Sequence, residues 1–296
     1  MKPLPVDSAL PLIGEELPDA AYEAIIEQLR RRRQFDLGAY KDRCIRRRIT
    51  KRLRSSGARD VAGYLDRLAG DEDELDALLA TLSIHVSQFF RNPDTFEALE
   101  RHVLPDLCRL ARAAGRHELR LWSVGCAGGE EPYSLALLVD ELAPAGIEVS
   151  ILATDVSAPV LDAARTARFE PARLAEVPPP VLARYFTVDG GGYRLHERVR
   201  SMVRFERHNI MTAAEFPAAD LILCRNVLIY FTREEQTRIL TRFAMALPKG
   251  GALVLGRAET LVGPERRLFR AEFPTERIYR RTAQAADATA IDLQGG

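Results

Sequence analysis

LRLWSVGCAGGEEPYS, Leu119 to Ser134, is the stretch whose reading decides the fold. Leu119, Leu121 and Val124 make a short apolar run suited to a buried strand. Gly125, Gly128 and Gly129 break that run, and Pro132 stands where a helix beginning PYSLALLVDEL would start. Proline suits the first helical turn, because the N–H it lacks has no intrahelical partner there. Strand, glycine loop and helix open a nucleotide-type βαβ unit, in which glycines permit positive φ and a close approach to a ligand. An ordinary tight βα turn would use the same residues. The spacing, however, is G-x-x-G-G rather than G-x-G-x-x-G, and Glu130 and Glu131 follow at once. Two carboxylates at a helix entry repel a pyrophosphate, which normally occupies that place. They tolerate a ligand bearing ammonium or sulfonium charge, which points to S-adenosylmethionine (SAM).

Downstream the alternation continues. Strands are predicted at Val149–Thr154, Val203–Glu206, Leu221–Cys224 and Leu253–Gly256, with helices at Tyr133–Leu142, Ala158–Thr166 and Arg233–Ala246. Such alternation indicates an α/β fold with a mostly parallel, doubly wound sheet. Residues 169–200 interrupt it with Pro178-Pro179-Pro180 and Gly190-Gly191-Gly192, which reads as a small antiparallel β-subdomain inserted into the main domain. Arg277–Arg280 could supply a last edge strand, and 282–296 reads as a disordered tail.

Upstream, a helix at Thr95–Ala114 follows the Asn92-Pro93-Asp94 turn. Residues 19–88 read as an all-helical domain behind a flexible lead-in, 1–18, and the SAM-binding domain is assigned 89–281. The clearest pattern in the helical part is the helix at 40–55, where Ile45, Ile49 and Leu53 share one face and Arg43, Arg47 and Arg54 fall on another. From Arg30 to Arg54 there are twelve Lys/Arg against Asp36 and Asp42, and an acidic run, Asp71–Asp76, lies beyond. This is either a solvated helix face or a docking surface for an acidic partner.

Composition narrows the classes. The 42 basic residues balance 42 acidic ones, so the chain as a whole is no polyanion binder. No apolar run is long enough to span a membrane, and the first residues lack the apolar core of a secretory signal. Cys44, Cys108, Cys126 and Cys224 are scattered, which suits reduced thiols and a cytoplasmic location. No metal-ligand spacing is present.

Residues with chemistry fall where the strands end. Asp155 closes the second strand, ILATD, where it can accept from two ribose hydroxyls or cap the helix that begins near Ser157. His208-Asn209 follows the third strand and Arg225-Asn226 the fourth, with Tyr230 and Phe231 in the same loop. An asparagine can pair with an adenine edge through one donor and one acceptor.

Four stretches together resemble the CheR-type chemotaxis receptor methyltransferases: SIHVSQFFRNPDTF (83–96), WSVGCAGGEEPYS (122–134), ATDVS (153–157), and HNI (208–210) with CRNVLIYF (224–231). LPKGG (247–251) and GRAET (256–260) add to the likeness, which covers about 35–281. The resemblance implies a Rossmann-like methyltransferase that transfers a methyl group from SAM to glutamate side chains of chemoreceptors, leaving S-adenosylhomocysteine (SAH). It implies cofactor contacts from His85, Ser87, Arg91, Glu131, Asp155, Asn209, Ile210, Arg225 and Asn226. Arg91 and Tyr230 would flank the transferred methyl and orient the acceptor, and Arg43, Arg47 and Arg54 would meet the acidic methylation helices of a receptor. The chemistry suits sparse equipment: a glutamate carboxylate, with a pKa of about 4.3, is ionised at neutral pH and needs no general base. The turn VDGGGYRL is short, which implies docking without a C-terminal peptide tether; a monomer without nucleic-acid partners completes the expectation.

Two motifs depart from the family pattern. His85 and Ser87 stand where Asn and Thr are usual, and Arg257-Ala258-Glu259 replaces His-Ser-Glu. These departures motivate an alternative, a SAM- or SAH-binding regulatory module with impaired turnover.

Overall fold

The computed structural model describes residues 17–33, 37, 42–82 and 87–282. Apart from Leu17, Pro18 and Thr282, the lead-in and the tail lie outside the described residues, as does His85. The chain divides into two compact units, one comprising residues through Ile84 together with Tyr230–Thr232, the other His85–Ile229 with Arg233 onward. The division thus falls at 84/85 rather than at 88/89. The assignment of Tyr230–Thr232 to the helical unit departs from the sequence expectation, which kept them in the SAM-binding domain.

The helical unit contains α1 (Asp19–Arg33), α2 (Asp42–Ser55), α3 (Val61–Gly70) and α4 (Glu72–Leu82). Asp60 starts α3 by accepting from the Gly63 N–H at 2.8 Å, which satisfies one of the orphan donors of a helix start. Ile45, Ile49 and Leu53 are buried, as the i, i+4 spacing predicts, alongside Ile25, Leu29, Tyr64, Leu68, Leu75 and Leu78. Three of the arginines in the basic cluster are neutralised by the acidic run. Arg33 pairs with Glu72 at 2.7 Å and Asp76 at 2.6 Å, Arg32 also pairs with Glu72, and Arg52 grips Glu74 at 2.6 Å. Arg48 is buried; it donates to the Leu82 carbonyl and lies 4.5 Å from the centre of the Tyr230 ring. On α2 a stripe is left unpaired: Arg47, Lys51 and Arg54 are exposed, lie at i, i+4 and i+7, and have no ion pair among the described residues. The Arg43 side chain is outside the described residues.

In the larger unit, α5 (Pro93–Ala98) runs through a π-helical turn (Leu99–Val103) into α6 (Leu104–Ala113). The turn lies just ahead of Pro105, which has no N–H to continue the α-helical ladder. Then follow β1 (Glu118–Val124), α7 (Glu130–Leu142), β2 (Glu148–Asp155) and α8 (Ala158–Thr166). The insertion contains β3 (Arg168–Phe169), α9 (Pro179–Tyr185), β4 (Phe186–Asp189), β5 (Gly192–Leu195) and α10 (Glu197–Arg200). The chain closes with β6 (Val203–Arg207), β7 (Leu221–Cys224), α11 (Arg233–Ala246), β8 (Ala252–Leu255), β9 (Phe269–Phe273) and β10 (Ile278–Arg281).

The main sheet has seven strands in the order β6-β2-β1-β7-β8-β10-β9. The first five are parallel, and β10 runs antiparallel to both of its neighbours. All four residues of β7 and of β8 are buried, as strands covered on both faces must be. The predicted edge strand at Arg277–Arg280 is corrected here: β10 is internal, and the edge is β9, which the sequence did not reveal. A smaller sheet, β3-β5-β4, is the inserted subdomain. Its hairpin turns through Gly190 (φ +59°) and Gly191 (φ +87°), the two positive φ values that a tight two-residue hairpin requires.

Candidate functional site

The order of the main sheet reverses at β1, whose chain continues to β2 on one side while β7 lies on the other. In open α/β sheets that switch point, at the carboxyl ends of the strands, is where ligands bind. Gly125 (φ +65°), Ala127 (φ +49°) and Gly129 (φ +91°) bend the loop that leaves β1. The missing Cβ atoms make room for the protein's own groups: a Cβ on Gly125 would lie 2.6 Å from Val227 Cγ2, and one on Gly128 2.9 Å from the Glu130 carboxylate. The helix then begins at Glu130, three residues before the expected Tyr133, with Pro132 still in the first turn where no N–H is needed.

Asp155 fulfils the second of its sequence readings, that of the helix start, and adds a contact to the glycine loop. One carboxylate oxygen accepts from the Ser157 N–H at 3.0 Å, an Asx turn into α8, and the other accepts from the Ala127 N–H at 3.1 Å, which ties the glycine loop to the end of β2. The carboxylate is buried. Beside it the His208 N–H donates to the Asp155 carbonyl at 3.0 Å, and Asn209 accepts from the Met211 N–H at 2.9 Å, placing Asn209 and Ile210 on the same sheet edge.

Each carboxylate of the helix entry faces an arginine. Glu130 is 3.5 Å from Arg173. Glu131 accepts from the Ser123 hydroxyl at 2.8 Å and from Arg225 at 3.4 Å. Burial raises the Glu131 pKa, and Arg225 opposes that without cancelling it. The carboxylates therefore do not present the bare negative field inferred from sequence.

Arg225 is the hub. Its guanidinium donates to the Arg91 carbonyl at 2.6 Å, to Asn92 Oδ1 at 2.8 Å and to Glu131, and it lies 5.4 Å from the centre of the Phe96 ring. Burial pulls its pKa down, and Glu131 pushes it back up only in part. The segment it holds is unusual in backbone: Phe90 (φ +49°) and Asn92 (φ +61°) flank Arg91, both in the left-handed region that side chains other than glycine seldom adopt. The Phe90 N–H donates to the Ser134 hydroxyl at 3.0 Å, and Phe89 buries its ring edge-on against Phe169 at 4.8 Å and Phe186 at 5.4 Å. Ser87 lends its carbonyl to Arg173.

Asn226 also has positive φ, +62°, and its N–H donates to Glu259 at 2.9 Å. Glu259, noted in the sequence only as part of a family-like GRAET stretch, accepts three backbone N–H groups there. Ala258, one of the two departures, is exposed. At this edge Asn226 Oδ1 and Arg225 Nε are buried with no hydrogen-bond partner among the described residues. Buried polar atoms are normally satisfied. An adenosyl ligand, with an exocyclic amine and ribose hydroxyls as donors, would supply a donor to Asn226 Oδ1, so the residues present fit SAM. Glu131, Asp155, Asn209, Ile210, Arg225, Asn226 and Arg91 thus share the carboxyl edge of the main sheet, whereas Tyr230 belongs to the helical unit and His85 lies outside the described residues.

The family model described as CheR methyltransferase, SAM binding domain, matches residues 85–277, and that described as CheR methyltransferase, all-alpha domain, matches 20–83. The chain is 34% identical over 230 residues to the chemotaxis protein methyltransferase of Listeria monocytogenes, covering 78% of this chain and 86% of that one. It is 32% identical over 271 residues to chemotaxis protein methyltransferase 2 of Pseudomonas aeruginosa, covering 88% and 94%. An uncharacterized 104.1 kDa protein in the hypE 3' region of Rhodobacter capsulatus is 38% identical over 248 residues, 83% of this chain but 26% of that protein, so the chain spans about a quarter of that relative's length.

Proposed function

Since the chain belongs to the CheR methyltransferase family and is a SAM-dependent methyltransferase, we propose that it methylates glutamate side-chain carboxylates of chemoreceptors. The observation that carries this reading is the commitment of the carboxylates at the sheet edge. Asp155 and Glu259 accept backbone N–H groups, and Glu131 is engaged by Ser123 and Arg225. His208, at the same edge, packs its ring edge-on against Trp122 at 5.5 Å. A site so arranged suits an acceptor that is already ionised. A carboxylate is such an acceptor at neutral pH, whereas a hydroxyl or an ammonium must first lose a proton.

SAM, when bound, supplies the electrophilic methyl group. The protein's part is alignment, the proximity contribution to rate. Asp155 is assigned to the ribose hydroxyls, Asn209, Ile210 and Asn226 to the adenine side, and Glu131 with Arg225, His85 and Ser87 to the remainder of the cofactor. By family correspondence Arg91 and Tyr230 are assigned to the acceptor, an arginine or tyrosine donor holding the carboxylate oxygen that does not attack. The stripe Arg47–Lys51–Arg54 supports an acidic protein surface as the docking partner, with Arg43 as a further member by family correspondence. The regulatory-module alternative gains no support from the comparisons. The test is incubation with SAM carrying a tritiated methyl group and a purified chemoreceptor cytoplasmic domain. Alkali-labile label on the receptor is expected, and alkali-stable label would overturn the reading.

A further inference from the structure

We infer that Glu259 is a positioning residue for the cofactor, acting through the peptide that joins Arg225 to Asn226; the inference rests on the cofactor role proposed for Asn226. Glu259 follows β8 and is buried. A buried carboxylate is costly unless it is paired or well hydrogen-bonded. No Lys or Arg among the described residues forms an ion pair with it. It is satisfied instead by main chain: the Gly256 N–H at 2.6 Å and the Asn226 N–H at 2.9 Å on one oxygen, and the Ile229 N–H at 3.2 Å on the other. Burial still leaves its pKa raised, with the amide hydrogen bonds opposing.

Two of these three donors belong to the loop after β7, and they bracket its turn. The Asn226 N–H is part of the peptide between the two residues whose side chains do most at this edge. On one side of that peptide, Arg225 fixes the carbonyl of Arg91. On the other, Asn226 sits at φ +62° with its side-chain oxygen buried and unsatisfied, a conformation that asparagine tolerates but does not prefer. Gly256 completes the arrangement, since a Cβ there would lie 2.8 Å from both Asn226 N and the Glu259 carboxylate. The loop after β8 is thus shaped to press a carboxylate against the back of the loop after β7. A neutral amide cannot do the same, because its NH2 would face an N–H donor on one side.

The test is titration of SAH by calorimetry into the full-length protein and its Glu259→Gln, Asn226→Ala and doubly substituted variants. Glu259→Gln is expected to weaken SAH binding about tenfold, the scale of one charge-assisted hydrogen bond. The double variant is expected to bind no more weakly than the poorer single one, because both act through Asn226. Gly256→Ala, which retains the carboxylate but displaces it, is expected to show the same loss and serves if Glu259→Gln fails to fold. Asp220→Asn is the control. Asp220 is a buried carboxylate preceding the opposite end of β7 that accepts from the Arg120 N–H, and its loss is expected to lower thermal stability with SAH affinity changed by no more than about twofold. Wild-type affinity in both Glu259→Gln and Gly256→Ala, or multiplicative losses in the double variant, would overturn the positioning role alone. Wild-type affinity in Asn226→Ala would overturn the cofactor role on which it rests.

Discussion

The guanidinium of Arg225 donates to the main-chain carbonyl of Arg91 at 2.6 Å, so the residue assigned to the acceptor is held by the residue that also faces Glu131. One planar fork thereby spans two loops and a helix entry. A lysine has a single ammonium and cannot reproduce that geometry. Arg225→Lys is expected to lower kcat by roughly ten- to a hundredfold, on the scale of one or two lost charge-assisted hydrogen bonds. Steady-state kinetics at saturating SAM would check this, and an unchanged kcat would remove Arg225 from its role as hub.

Asp155 holds the glycine loop and the start of α8 through backbone amides, and its proposed ribose contact adds to these. Asp155→Ala is expected to raise the Kd for SAH by about ten- to a hundredfold, with ~1.5–3 kcal/mol of charge-assisted bonding lost. Calorimetry would measure it; unchanged affinity would leave Asp155 as a loop fastener only.

Charge reversal on α2 separates docking from cofactor binding. Arg47→Glu and Arg54→Glu are expected to raise the KM for a receptor domain several-fold at low salt and to leave SAH affinity unchanged. The difference from wild type is expected to shrink above ~0.3 M salt, where exposed charges are screened. A matching loss of SAH affinity would show that the stripe is structural.

The pair Arg52–Glu74 carries a pH signature in the helical unit. Burial pushes the Glu74 carboxyl up, but hydrogen bonds and charge from Arg52, helped by Arg67, bring it to a net value below the ordinary carboxylate range. A carboxylate with a depressed folded-state pKa stabilises the fold above its unfolded pKa, and that stabilisation is lost as pH falls through the folded value. Glu74→Gln leaves a largely buried guanidinium without its partner and is expected to cost about 3 kcal/mol near neutral pH. The gap from wild type should close as pH drops below about 4. Urea unfolding across that range would test it, and a pH-independent gap would contradict it.

The sequence was most legible where one residue type permits one geometry. Glycines at 125 and 129 and the buried runs of β1, β7 and β8 gave the parallel core, and Gly190-Gly191 gave the inserted hairpin. Strand β9 went unread although FRAEF alternates apolar and polar residues, because it is short and only its pairing with β10 across the turn at 274–277 places it at the sheet edge. The internal place of β10 does not follow from propensity, since it answers to tertiary packing. Among site residues, the family motifs named Arg225 and Asp155 but not the targets of their hydrogen bonds. Glu259 escaped assignment because its partners are main-chain amides, which no residue pattern displays. Within the arginine cluster near the amino terminus, residue pattern alone did not show that Arg32, Arg33 and Arg52 pair with Glu72, Asp76 and Glu74.

The central claim is that the methyl group goes to a glutamate carboxylate. Mass mapping of a receptor cytoplasmic domain after reaction with SAM tests it most directly. Methylation is predicted on glutamate side chains, to be removed by mild alkali and abolished when those glutamates are replaced by glutamine. Methylation confined to lysine, serine or another non-carboxylate side chain, stable to alkali, would contradict it.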